Sequence, residues 1–114
     1  MSRTFEREVH AKEVARKSNA TPTQDEVSFV VPDGRNLRLR RFSGGHESAT
    51  QEVRVELRWD GDIIAVGYGS CFCYDVEMDL AGDGSKALVI RHYNGESQPL
   101  HMAAWWEGET YTNG

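Results

Sequence analysis

Cys71 and Cys73 are the only thiols of the chain, and they fall in the run Cys71-Phe72-Cys73-Tyr74-Asp75-Val76-Glu77-Met78-Asp79-Leu80. A thiol can attack as the thiolate, ligate a metal or form a disulfide. The run alternates, and successive side chains of a strand point to opposite faces. Phe72, Tyr74, Val76, Met78 and Leu80 are therefore expected on a buried face. Cys71 and Cys73 are expected on a wet, acidic face with Asp75, Glu77 and Asp79. Residues two apart on a strand are about 6.6 Å apart with parallel Cβ vectors, whereas a disulfide needs Cβ atoms about 3.5–4.5 Å apart. The pair should not close on itself, so Cys71 and Cys73 are expected reduced and partly covered, with a disulfide to a neighbouring copy as the functional reading. Zinc would draw on His92 or His101, but the spacing matches no compact zinc pattern, so no metal is expected.

The carboxylates of Asp75, Glu77 and Asp79, with Asp83 beyond the next turn, suit Ca²⁺ by chemistry. Side chains two apart on a strand stand too far apart to enclose one ion, so a solvated face is the better reading. Nothing local separates their pKa values for acid and base roles, and no nucleophile motif is present. Gly67-Tyr68-Gly69 and Gly82-Asp83-Gly84 lack the Lys and the helix of a phosphate cradle, so they read as turns. The expectation is a protein that is not an enzyme and holds no cofactor.

Aromatic and basic residues point to contacts instead. Trp59, Trp105 and Trp106 with Tyr68, Tyr74, Tyr93 and Tyr111 could form a sugar-stacking platform, which makes a carbohydrate-binding β-sandwich module the alternative reading. Aromatic residues are enriched at interfaces, which favours subunit contact. Trp105 and Trp106 must point to opposite faces, and Trp105 is assigned to an interface. Arg38 and Arg40 lie opposite Leu37 and Leu39 as a basic stripe. They either meet Asp75 and Glu77 of another subunit or pair across their own sheet with Glu56 or an equivalent.

The elements that carry these residues are mostly strands. Val27–Val31 ends at Pro32-Asp33-Gly34, a turn whose Pro and Gly preset the dihedrals. Asn36–Arg40 and Val53–Trp59 alternate cleanly, and Asp60-Gly61 predicts a hairpin into Ile63–Val66. Ala87–Tyr93 is apolar on both faces at its start, as a central strand is. Leu100–Trp106 reads as the last strand before a polar tail, Glu107 to Gly114. The fold expected is all-β, an antiparallel β-sandwich of about seven strands, jelly-roll-like or barrel-like, over residues 25–114. Residues 1–24 form an N-terminal arm and linker, extended or short-helical, because Phe5, Val9 and Val14 make too thin a stripe for a core helix. Phe5 and Val9 are its candidate contacts with a partner.

Size and charge agree with one small domain. The 114 residues carry a net charge of −5, divided between +3 over residues 1–46 (nine Lys or Arg, six Asp or Glu) and −8 over residues 47–114 (four against twelve). Such asymmetry suits an acidic partner or copies meeting head to tail. Direct nucleic-acid binding is not expected, because Arg35, Arg38, Arg40 and Arg41 are the only clustered bases beyond the arm. No apolar run approaches the roughly 18 residues of a membrane span, and no secretory h-region opens the chain.

From Val27 to Gly108 the order of features resembles small β-sandwich virion proteins of tailed bacteriophages. The likeness rests on Phe29-Val30-Val31-Pro32-Asp33-Gly34 leading into Leu37-Arg38-Leu39-Arg40, and on Val55-Glu56-Leu57 before Asp60-Gly61. It rests also on Gly82-Asp83-Gly84 leading into Val89-Ile90-Arg91 and on the closing Trp106-Glu107-Gly108. The resemblance implies a structural role in many copies, as a capsid decoration protein or a neck, collar or tail component. Its partners would be other copies and other virion proteins, its location the virion assembled in a bacterial cytoplasm.

Overall fold

The computed structural model describes residues 3–17, 23–47, 53–96 and 100–113, with side chains described for 28–47, 53–96 and 100–112. Eight strands and no helix occur among the described residues: β1 (Arg3–Lys17), β2 (Thr23–Val30), β3 (Asn36–His46), β4 (Val53–Trp59), β5 (Asp62–Gly67), β6 (Phe72–Ala81), β7 (Ala87–Asn94) and β8 (Leu100–Asn113). They form two four-stranded antiparallel sheets, ordered β1-β8-β3-β6 and β2-β7-β4-β5. That order is a jelly roll, in which two Greek keys wrap into a sandwich. The seven strands expected are β2 to β8, and the arm supplies the eighth. Of the two forms expected for the arm, its backbone takes the extended one along β8. The linker at 18–22 lies outside the described residues.

Alternation builds the core between the sheets. Leu37, Leu39 and Phe42 of β3, Val53, Val55 and Leu57 of β4, Leu88 and Ile90 of β7, and Leu100, Met102, Ala104 and Trp106 of β8 are buried together. Phe29 reaches from β2 to stack tilted on Trp106, ring centres 5.6 Å apart, and so ties one sheet to the other. Phe42 and Phe72 meet at 5.2 Å between β3 and β6. The Asp60-Gly61 hairpin forms as expected, with both residues at positive φ, 49° and 86°.

Three details depart from the sequence reading. Glu107 to Asn113 is no polar tail but the second half of β8, with Gly108, Thr110 and Tyr111 buried between β1 and β3. Gly108 permits this because a Cβ there would lie 2.5 Å from the Arg38 carbonyl oxygen. β3 likewise runs on through Gly44-Gly45 to His46. The apolar face of β6 is only partly covered: Phe72 and Leu80 are buried and Val76 and Met78 half-buried, but Tyr74 is 41% exposed. The cause is position, since β6 is the edge of its sheet and faces β5, the edge of the other.

Candidate functional site

Register places the residues singled out from the sequence on the outer face of the β1-β8-β3-β6 sheet. Neighbours across β8, β3 and β6 form rungs: Glu109, Arg38 and Asp79, then Glu107, Arg41 and Asp75, then Trp105, Ser43 and Cys73. The first two rungs hold a ladder of ion pairs. Arg38 reaches Glu77 at 2.7 Å and Asp79 at 3.1 Å, Arg40 reaches Glu109 at 2.9 Å, and Arg41 lies 3.4 Å from Asp75 and 3.7 Å from Glu107. A bulge between Leu39 and Arg41 turns two successive arginines toward the acidic strands, and Glu77 answers it on β6 with φ at 49°. The basic stripe therefore meets the acidic row inside one chain, and its partners are Glu77, Asp79 and Glu109 rather than Glu56. Exposed pairs of this kind are screened by solvent and contribute little, so the ladder bears on register more than on stability.

The third rung is neutral. Trp105 is 40% exposed while Trp106 is fully buried, the opposite facings expected of adjacent strand residues. Cys71 and Cys73 are exposed and free, and the Ser43 hydroxyl donates to Cys73 Sγ at 3.3 Å. Cys73 sits at the start of β6 and Cys71 just before it, on the flank where the two sheets leave open edges. Exposed Tyr74 of β6 lies on that flank and exposed Tyr68 in the connection from β5 to β6, while exposed Ile63 of β5 stands opposite Arg58. The edges close together because position 67 is glycine: a Cβ there would lie 2.3 Å from the Phe72 ring. Phe5 and Val9 fall outside the residues whose side chains are described; register sets them opposite Tyr111 and Gly108.

His92 is buried between the sheets, whereas both cysteines and His101 are exposed, and no cluster of three His, Cys, Asp or Glu suited to an ion occurs among the described residues.

Glu56 and His46 are buried titratable groups that the sequence did not mark as site residues. Glu56 of β4 is 1% exposed on the outer face of the second sheet, held by Arg54 Nε at 2.7 Å and Arg58 Nε at 2.8 Å. Arg54 also lies 4.1 Å over the Tyr93 ring. The spacing Arg54-x-Glu56-x-Arg58 on one strand face was the available signal. Burial pushes the Glu56 carboxyl up, but the hydrogen bonds and charges of Arg54 and Arg58 outweigh it and hold the group below its ordinary 4.5.

The second is His46, 4% exposed at the end of β3. Its N–H donates to the Gly69 carbonyl at 3.0 Å, and the Gly69 N–H donates to His46 Nε2 at 3.0 Å. Burial lowers its pKa below 6.5, and the Glu96 charge opposes that only in part. Here the signal was Phe42, Gly44 and His46 continuing one face of the strand.

Both shifts make the fold acid-sensitive. Between the folded pKa of His46 and 6.5 the unfolded chain binds more protons, so stability falls as pH drops below 6.5. The Glu56 contribution is present above 4.5 and is lost as pH falls through its lowered folded value. Melting temperatures measured from about pH 7 to about pH 3 should fall in two stages, and His46→Gln should remove the first. A melting temperature flat down to the ordinary Glu range would contradict the first stage.

No family model matches the chain, and no curated protein or solved structure matches it.

Proposed function

We propose that this chain is a structural subunit without enzymatic activity that self-associates and docks on other proteins of a particle, as a decoration, neck, collar or tail component of a tailed phage. One observation carries the self-association: the open edges of both sheets lie side by side at β5 and β6, with exposed Tyr74, exposed Tyr68 in the connection between them and two free thiols. An open edge offers unpaired N–H and C=O groups to another strand. The bulge at Glu77 confines regular pairing to the start of β6, where Cys73 sits. A two-fold axis normal to the sheet at Cys73 sets the two Cys73 residues directly opposite, with Cβ atoms about 4.5–5.5 Å apart. That is close to the roughly 3.5–4.5 Å of a disulfide, so this contact admits a Cys73 bridge. The jelly-roll order supports the virion role by analogy, since viral capsid domains use it too.

Two results are expected. Oxidised protein run without reductant gives a dimer band that Cys73→Ser abolishes and Cys71→Ser retains, and monomer in every lane counts against the bridge. Mass spectrometry of purified phage particles from cells encoding the chain finds its peptides at fixed copy number; particles free of it would remove the virion role.

A further inference from the structure

The connection from β5 to β6, Tyr68 to Cys71, carries the chain to the strand start where Cys73 sits. Among the described residues, the hydrogen bonds that hold this connection both run to His46 at the end of β3. The His46 N–H donates to the Gly69 carbonyl and the Gly69 N–H donates to His46 Nε2, each at 3.0 Å. The connection lies close against β3, since a Cβ on Gly45 would collide with the Ser70 carbonyl oxygen. Packing adds little to the two bonds, because Tyr68, Ser70 and Cys71 are all exposed.

One of those bonds depends on a proton. Nε2 accepts only while it is unprotonated; with a proton there, two donors would face each other at 3.0 Å. The ring is 4% exposed, so a proton enters as the connection lifts, and uptake and release are one step. The charged and titratable groups around the ring are Glu96 beyond β7, whose charge favours the protonated form, Glu47 and His101 of the depression that His46 also lines, and Tyr68 and Cys71 of the connection itself. Burial outweighs Glu96 and keeps the latched ring neutral.

We propose that His46 is a proton-operated latch: acid releases Tyr68 to Cys71 from β3, unseats the start of β6 and so separates copies that meet at the β5–β6 flank. The separation of copies rests on the self-association proposed above, whereas the release of the connection does not. β6 is the edge of its sheet, so its start is positioned only by β3 on one side and by the connection that leads into it. Below 6.5, the ordinary value of the imidazole, each pH unit favours the open connection by up to about tenfold, until the lower value of the latched ring is reached.

The test follows the full, reduced chain at about pH 7.5 and about pH 5.5 by hydrogen exchange and sedimentation velocity. Corrected for intrinsic exchange rates, the Gly69 amide should lose protection about tenfold at the lower pH, while amides paired between β4 and β7 keep theirs. The dissociation constant of the parent should rise at least about tenfold over the same interval. His46→Gln keeps an acceptor that does not titrate, so its Gly69 protection and its association should be equal at both pH values. His101→Gln should respond as the parent does, which separates the buried ring from the exposed one. Gly69 protection that is equal at both pH values in the parent, or lost equally in His46→Gln, overturns the latch. A parent that associates equally at both pH values overturns its control of assembly; a parent monomeric at both removes the flank contact itself.

Discussion

Trp106→Ala lowers the free energy of unfolding by about 3–5 kcal/mol, the usual cost of truncating a fully buried tryptophan. Trp106 is the largest of the fully buried side chains. It projects from β8, which is hydrogen-bonded on both sides, to β1 and to β3. Its ring meets Phe29 from the opposite sheet at 5.6 Å, so the cavity left by alanine opens between the layers, where neither sheet can collapse into it without bending. A domain of this size holds about 5–15 kcal/mol in all, so the variant keeps little. Trp106→Phe should cost less than half as much. It keeps an aromatic ring beside Phe29 and discards the indole N–H, which is buried without a partner among the described residues. Urea unfolding monitored by circular dichroism gives both numbers; a loss under about 1 kcal/mol for the alanine variant would show that Trp106 does not hold the sheets together.

Glu56→Ala costs about 2–3 kcal/mol, below the roughly 3–5 of a fully buried broken pair because Arg54 and Arg58 keep part of their hydration. Their side chains are 32% and 21% exposed against 2% for Glu56. Removing the carboxylate leaves two guanidinium groups on one strand face, with Arg91 as the cross-strand neighbour of position 56. Like charges on one sheet face repel. Glu56→Gln keeps the shape and one acceptor, so its loss falls between parent and alanine. The pH dependence separates this account from simple packing, since either variant should lose the second, more acidic stage of the melting profile. A profile that keeps that stage in Glu56→Gln would assign it to another carboxylate.

Strand order was legible wherever a period of two coincided with a turn signal. Val53–Trp59, the Asp60-Gly61 hairpin and Ala87–Tyr93 lie where the residues set them, because side-chain alternation and turn dihedrals are local properties. β8 was cut short because Glu107-Gly108-Glu109 looks like a tail. Its outward carboxylates are partners of Arg40 and Arg41, and its glycine is a point of close approach to β3, neither of which is visible from one strand alone. The arm was ambiguous for another reason. Ala, Lys and Glu favour helix, and they hide the alternation of Glu8, His10 and Lys12 with Val9 and Ala11, which register sets opposite β8. The acidic face of the cysteine strand was readable from its spacing, but its partners stayed open between another subunit and the same sheet, and it is β3 of the same chain that supplies them. Burial at Glu56 and His46 depends on neighbours from three strands and a loop, which no single segment displays.

The central claim is that the β5–β6 flank is a contact between copies of this chain. Sedimentation velocity under reducing conditions tests it most directly, comparing the parent with Cys73→Arg over a range of concentrations. Cys73 is exposed, so arginine there should leave the fold intact while placing like charges face to face across the two-fold axis. The account predicts a parent that dimerises or assembles further as concentration rises and a variant that stays monomeric. A parent that remains monomeric throughout, or a variant that associates equally well, would contradict it.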